Sequence, residues 1–272
     1  MDRCKLILTM NTTKQHKLIS AEDQKLIQLE MLKELDKFCR EKSIRYSLAF
    51  GTLLGAIRHK GFIPWDDDVD IMMPLPDFER FKRDFVSDSI IYCDVDTQPY
   101  FEFDFSRVAY DRTFQIRGIR LRSYGVNIDL YPIVSIPDDF DAQSSFFQKA
   151  EQLDNCRKSI LKWGLRLVRI LPLKRIPGLT RVVRRLRNYM FYSFNYASSG
   201  TYYIISGPLS LRYQTIFTYD LFEDCIDVEF EGQQFQAISK YDEFLRHRYG
   251  NYMELPPIDQ RHPYHGGVYY WK

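Results

Sequence analysis

Apolar positions recur at intervals of three and four through Leu26, Leu29, Met31 or Leu32, Leu35 and Phe38, which predicts an amphipathic helix over residues 20–42. Ser20 with Asp23 supplies its start, a capping box with Asp in place of Glu. Tyr46–Phe50 is a short apolar run expected as a buried strand. Gly51-Thr52 then turns into a helical segment, LLGAIRHK, ended by Gly61, and Phe62-Ile63-Pro64 forms a loop. Val69–Met72 is predicted as a strand, and Asp77–Ser87, opened by Pro76, as an amphipathic helix. Strands are expected over Ile91–Val95, Phe101–Tyr110, Gln115–Arg122 and Val126–Tyr131. Further on, Val228–Phe235 reads as a strand or hairpin, Lys240–Tyr249 as a short helix before Gly250, and Pro256-Pro257 as part of an extended tail. Helices and strands mix without a fixed repeat, which gives an α/β or α+β class built on a mixed sheet.

Composition excludes a disordered or low-complexity chain, because 45% of the 272 residues are apolar and 27% are charged. No run of 18 apolar residues exists, so no spanning helix is expected. The start, MDRCKLILTM, has too short an apolar stretch for a signal peptide, and the expected location is the cytoplasm. The five cysteines, at 4, 39, 93, 156 and 225, form no C-x-x-C pair and read as free, mostly buried thiols.

Charge changes the picture more. Asn155–Tyr219 holds twelve Lys and Arg and no acid, while the remainder holds 26 basic and 36 acidic residues. The chain thus divides into an N-terminal helical segment packing on the core (1–45), a central core (46–154), a basic and mainly helical insert (155–219), and a C-terminal strand, helix and tail completing the same domain (220–272). Within the insert, Lys158, Lys162, Arg166 and Arg169 share one helical face, and Ile160, Trp163, Leu167, Ile170 and Leu171 share the other. An acidic body without an RNA-binding motif argues against nucleic acid as a partner. A basic amphipathic segment suits an anionic membrane surface, with Lys158, Lys162, Trp163, Arg166 and Arg169 as contacts, or equally a helical subdomain with a solvated basic face.

The densest chemical signal is Trp65-Asp66-Asp67-Asp68-Val69-Asp70-Ile71. If Asp68 and Asp70 lie on a strand, both point to one face while Val69 and Ile71 point to the other. Adjacent carboxylates repel unless a cation separates them or one is protonated, and a hard ion such as Mg²⁺ or Mn²⁺ resolves the conflict. Asp66 is placed to reach the same site. In Val126-Asn127-Ile128-Asp129-Leu130 the alternation puts Asn127 and Asp129 together, so Asp129 on a neighbouring strand would close a two-metal site that clamps a phosphoryl group. An EF-hand fails, because the Gly and Glu it requires are Ile71 and Asp77. A solvated acidic loop is the plain alternative. Against it stands Gly51-Thr52, a small-residue turn at a helix N-terminus that can offer backbone N–H groups to phosphate.

Residues 50–74, FGTLLGAIRHKGFIPWDDDVDIMMP, resemble the signature of the LicD family, and VNIDLYPI, DVEFEGQQF, YDEFLRHRYGNYMELPP and the final R-x-x-x-H resemble later family motifs in the same order. The resemblance implies a polymerase-β-like nucleotidyltransferase core, with Gly51 and Thr52 at the phosphate, Asp68, Asp70 and Asp129 as the catalytic, metal-binding acids, and Asp66 as a further ligand. Thr52 stands where Ser is commoner, and the strand piece before Tyr241 lacks the usual Pro. Arg58, His59, Lys60, Trp65, Arg261 and His265 are candidates for binding the nucleotide and its phosphates. LicD-type enzymes move phosphocholine from CDP-choline to a sugar of a bacterial surface glycan, such as lipopolysaccharide or teichoic acid, and fukutin-type relatives use CDP-ribitol. The implied function is metal-dependent transfer from a CDP-alcohol to a lipid-linked glycan at the inner face of the membrane, with CMP leaving. CDP-ribitol or CDP-glycerol as donor, transfer of the NMP half instead, and a non-catalytic nucleotide-binding module are the alternatives. Asp129 is the expected base. Tyr252, Tyr264, Tyr269, Tyr270 and Trp271 are candidates for a choline cage.

Overall fold

The computed structural model describes residues 16–98, 101, 103–117, 121–167, 182, 185–186, 188–192, 199–206, 214–263 and 267–272. Helix α1 (Ala21–Glu41) forms where the pattern predicts, but its stripe is shifted: Leu26 is 60% exposed, and Gln24 and Gln28 are buried instead. The Ser20 hydroxyl accepts from the Asp23 N–H at 3.0 Å, and Met31, Leu32, Leu35 and Cys39 are buried. Strand β1 (Ser47–Leu48) is shorter than the predicted Tyr46–Phe50, because α2 (Phe50–His59) already begins at Phe50. Phe50 holds a φ of 43°, a left-handed conformation that no propensity rule assigns to a phenylalanine.

Strand β2 (Asp70–Pro74) starts two residues beyond Asp68, so Asp68 lies in the preceding loop rather than on the predicted strand. Helix α3 (Leu75–Asp84) follows at once, with Pro in its first turn. Then come β3 (Ile90–Cys93) and β4 (Ser106–Tyr110), the latter only the end of the predicted Phe101–Tyr110. The predicted single strand Gln115–Arg122 is two, β5 (Thr113–Arg117) and β6 (Leu121–Tyr124), paired antiparallel. All ten residues of β7 (Asn127–Ile136) are buried.

Helix α4 (Phe140–Leu167) runs through Asn155, where the composition changes, so that boundary falls inside one helix. Strands β8 (Thr201–Ile204) and β9 (Ile216–Phe217), within residues 155–219, join the large sheet. The predicted hairpin is β10 (Cys225–Phe230) with β11 (Gln233–Ile238), followed by α5 (Tyr241–Tyr249), which ends at Gly250 with a φ of 66°. A last strand, β12 (Tyr269–Trp271), pairs with β5.

The large sheet has the order β1-β2-β7-β4-β3, with β8 extending it beside the second half of β7. Among the described strands of this sheet only β2 and β7 run parallel; the other pairs are antiparallel. β7 is the centre of this sheet, flanked by β2 and β4 along its first half. Its apolar neighbours, α1, α3 and the ring cluster around Phe146, Phe147, Phe191 and Tyr203, belong to one continuous core. Cys39 and Cys93 are buried free thiols, as expected; Cys225 is half-buried and Cys156 exposed. Among the described residues no helix is long and apolar enough to cross a membrane.

Candidate active site

The parallel register sets Asp70 of β2 directly beside Asp129 of β7, and the antiparallel register sets Arg107 of β4 on the other side of Asp129. Register partners project to one face, so a row Arg107–Asp129–Asp70 crosses the middle of the sheet. All three are buried. The loop leading into β2 brings Asp66, Asp67 and Asp68 together, with one carboxylate oxygen of each within 4.8 Å of the others.

Each partner of this group fixes a different part of it. The Thr52 hydroxyl accepts from the backbone N–H of Asp70 at 2.8 Å, which ties the first turn of α2 to the start of β2. Gly51 lies against Asp66: a Cβ there would stand 2.6 Å from the Asp66 Oδ2 and would push that carboxylate from its place. The positive end of α2 thus faces the acids. Tyr131, two residues after Asp129, donates from its hydroxyl to Asp70 Oδ1 at 3.1 Å.

Asp129 is held from three sides. Arg107 Nη2 donates to Oδ2 at 2.7 Å, Asn127 Nδ2 donates to Oδ1 at 2.8 Å, and the Tyr131 hydroxyl approaches Oδ2 at 3.4 Å. Arg107 in turn lies 3.7 Å over the Phe103 ring and donates to the Tyr124 hydroxyl at 3.0 Å. Burial opposes its charge, and the Asp129 carboxylate more than restores it.

Asp66 and Asp70 carry the electrostatic cost of the cluster. Burial first, and then Asp68, push Asp66 up to about 7. Burial, then Asp68, Asp129 and Asp66, push Asp70 well above the usual carboxylate range, against the donated bond from Tyr131. Both groups therefore keep protons in the folded, metal-free chain that they release on unfolding. Folding stability must fall as pH rises from the ordinary carboxylate range through about 7. Melting in EDTA is expected to give a higher Tm near about pH 6 than near about pH 8. A flat or opposite trend would show that these protons are not held.

A second group of predicted residues meets at the far end of α2. The Arg261 guanidinium lies 5.4 Å over the Trp65 ring, whose other neighbour is His59, edge-on at 6.2 Å. Arg58 Nη1 donates to the carbonyls of Tyr252 at 2.6 Å and Glu254 at 3.2 Å, so it also holds the tail. The tail folds back far enough to place Arg261 beside the loop that carries the acids. Lys60 instead ends α2 in a left-handed conformation with its side chain exposed. His265 and Tyr264 lie outside the described residues, as does Arg169. Lys158, Lys162, Trp163 and Arg166 fall on α4, with side chains outside those described. The proposed cage rings are otherwise engaged: Tyr252 is buried with its hydroxyl on Asp242, Tyr270 stacks on Phe114, and Trp271 meets Tyr110 edge-on.

Several residues at the site had no place in the sequence reading. Arg107 and Tyr131 are two. Tyr131 was legible in principle, since it continues the alternation of Asn127 and Asp129. Arg248 and Tyr249, at the end of α5, are two more. The Arg248 guanidinium lies 5.4 Å over the Phe50 ring, which itself meets Tyr131 edge-on at 5.1 Å. Burial raises the Tyr249 hydroxyl, and Asp70 and Asp66 are close enough to raise it further.

Residues 43–163, which include both the acid loop and Asp129, match the family model described as LicD/FKTN/FKRP, nucleotidyltransferase domain. The chain carries a LicD-family domain. It is similar to the lipopolysaccharide cholinephosphotransferase LicD of Haemophilus influenzae, 27% identical over 259 residues that span 92% of this chain and 97% of that protein. It is also similar to an uncharacterized protein of Rickettsia typhi, 36% identical over 63 residues (23% of this chain and 20% of that one). A shorter match, 45% identical over 42 residues, joins it to an uncharacterized protein of Rickettsia prowazekii and covers 15% of this chain and 16% of that one. The LicD-family domain thus contains the whole Arg107–Asp129–Asp70 row, whereas α5 and the folded-back tail lie beyond it.

Proposed function

We propose that this protein transfers phosphocholine from CDP-choline to a hydroxyl of a bacterial cell-surface glycan and releases CMP. The observation that carries the reading is the convergence of half-buried Asp66 and Asp68 with buried Asp70 and Asp129 on one site, in a chain similar along nearly its whole length to a lipopolysaccharide cholinephosphotransferase. The site fits a divalent cation on its own chemistry. It offers only hard oxygen donors, and without a cation Asp66 and Asp70 must hold protons against their ordinary acidity. Asp66, Asp68, Asp70 and Asp129 would hold Mg²⁺ or Mn²⁺, which neutralises charge on the diphosphate and on departing CMP.

The remaining parts have distinct tasks. Gly51 and the first turn of α2 present backbone N–H groups toward the phosphate, while Thr52 holds Asp70 in place. Trp65, His59, Arg58 and Arg261 form a basic, aromatic group suited to cytidine and its phosphate. The phosphorus–oxygen bond to CMP breaks, the acceptor oxygen bonds to that phosphorus, and the hydroxyl proton passes to solvent water. Asp129 already accepts from Arg107, Asn127 and Tyr131, an environment that favours an anchored ligand over its expected role as the base. The basic stretch after Asn155 suits an anionic membrane surface where a lipid-linked acceptor would be met.

The test is CMP release from purified protein with Mg²⁺ and, separately, CDP-choline, CDP-ribitol and CDP-glycerol. Each is run with and without lipopolysaccharide lacking phosphocholine, beside an Asp68→Ala/Asp70→Ala control. Release from CDP-choline, stimulated by the acceptor and absent in the control, is expected. Release from another donor alone would change the alcohol. Pyrophosphate release from CTP and phosphocholine, with no CMP from any CDP-alcohol, would replace the reading by nucleotidyl transfer.

A further inference from the structure

The inward face of α1 is apolar at Met31, Leu32, Leu35 and Cys39, but one and two turns earlier it carries Gln28 and Gln24, both buried. A buried amide on an apolar stripe is unfavourable unless it is hydrogen-bonded. Gln28 Nε2 lies 3.3 Å from the carbonyl oxygen of Asp67 and 3.3 Å from that of Asn127. The first carbonyl belongs to the acid loop. The second opens β7, two residues before Asp129. One amide nitrogen therefore spans the two segments that supply the carboxylates. Gln24 Nε2 adds a second donor to the Asp67 carbonyl at 2.6 Å.

Two further observations set Gln28 apart from a packing residue. Its orientation is fixed, since facing both carbonyls with Oε1 would oppose acceptor to acceptor. Its Oε1 is consequently buried with no hydrogen-bond partner among the described residues, a cost that a leucine at the same place would avoid. The loop is also tied by the Asp66 N–H to the Ile63 carbonyl at 2.9 Å.

We propose that Gln28 is a positioning residue that sets the acid loop, Asp66 to Asp68, against the strand carrying Asp129, and so preorganises the cation site. The proposal rests on the reading that these acids hold a divalent cation. Partners that orient ligands from behind typically change metal affinity by about 10–100-fold when removed.

The experiment measures Mn²⁺ affinity of the full chain by electron paramagnetic resonance, with thermal melts in EDTA, for wild type, Gln28→Leu and Gln28→Met. Both variants remove the amide and keep the volume. The expected result is Mn²⁺ affinity lower by about 10-fold or more in both, with an EDTA Tm equal to or above wild type. Wild-type affinity in either well-folded variant overturns the assignment. So does a Gln28→Leu variant that loses Tm and affinity together while Gln28→Met keeps both, since that pattern is packing. A wild type that binds no Mn²⁺ overturns the cation reading itself, a result that differs from unequal or equal binding among the three proteins.

Discussion

Replacing Asp70 by Asn is expected to lower CMP release by about 10³-fold or more and, at the same time, to raise the Tm of the metal-free protein. The two effects share one cause. Asp70 is buried at the centre of the acid group, where Asp68, Asp129 and Asp66 all oppose its charge. Its carboxylate contributes nothing to the folded state without a cation, and asparagine still offers Tyr131 an acceptor in place of Oδ1. On the proposed reading, the same charge would help hold a cation against the diphosphate. Losing several kcal/mol of charge stabilisation in the transition state is on the order of 10³ in rate. Melting in EDTA and in Mg²⁺, beside turnover, checks both halves: wild type should gain Tm from Mg²⁺ and the variant should gain little. Turnover within about tenfold of wild type, or an EDTA Tm below it, would remove Asp70 from this role.

Arg107→Met should have the opposite signature, a large loss of stability. Arg107 is the buried cation beside Asp129, and its removal strands a carboxylate in the core of the sheet. Breaking a buried pair on one side costs about 3–5 kcal/mol, a fall in Tm on the order of 10 °C for a chain of this size. The double variant Arg107→Met/Asp129→Asn should recover most of that Tm and none of the activity. A single variant that melts like wild type, or a double variant no better than the single, would show that the pair is not the structural unit the distances describe.

Much of this site was legible in local sequence. The capped α1, the acid loop and the Asn127–Asp129 alternation all follow from spacing within a dozen residues. What escaped depends on pairing between distant segments. Arg107 sits in Ser106-Arg107-Val108, where a lone arginine reads as a solvent-facing strand position. Only the register of β4 against β7 turns it into the partner of Asp129. Gln24 and Gln28 likewise look like ordinary helix formers until the carbonyls of Asp67 and Asn127 are placed opposite them. The hairpin of β5 and β6 was missed because its apolar and basic residues alternate without a strong turn signal, and the helix start at Phe50 because a positive φ at phenylalanine is set by its surroundings. Arg261 reached Trp65 across almost two hundred residues of chain, a contact that no periodicity encodes.

The strand β12 has a consequence in time as well as in space. It pairs with β5, bridges through Tyr270 to Leu18, and exchanges backbone bonds with Lys17 and Ile19. The Tyr269 hydroxyl also reaches Asn127, the residue that braces Asp129, at 3.3 Å. Segments near both ends of the described chain therefore meet beside the strand that carries Asp129. During synthesis this junction cannot close until residue 271 has cleared the ribosome, so a nascent chain holding every acid still lacks one brace of its site.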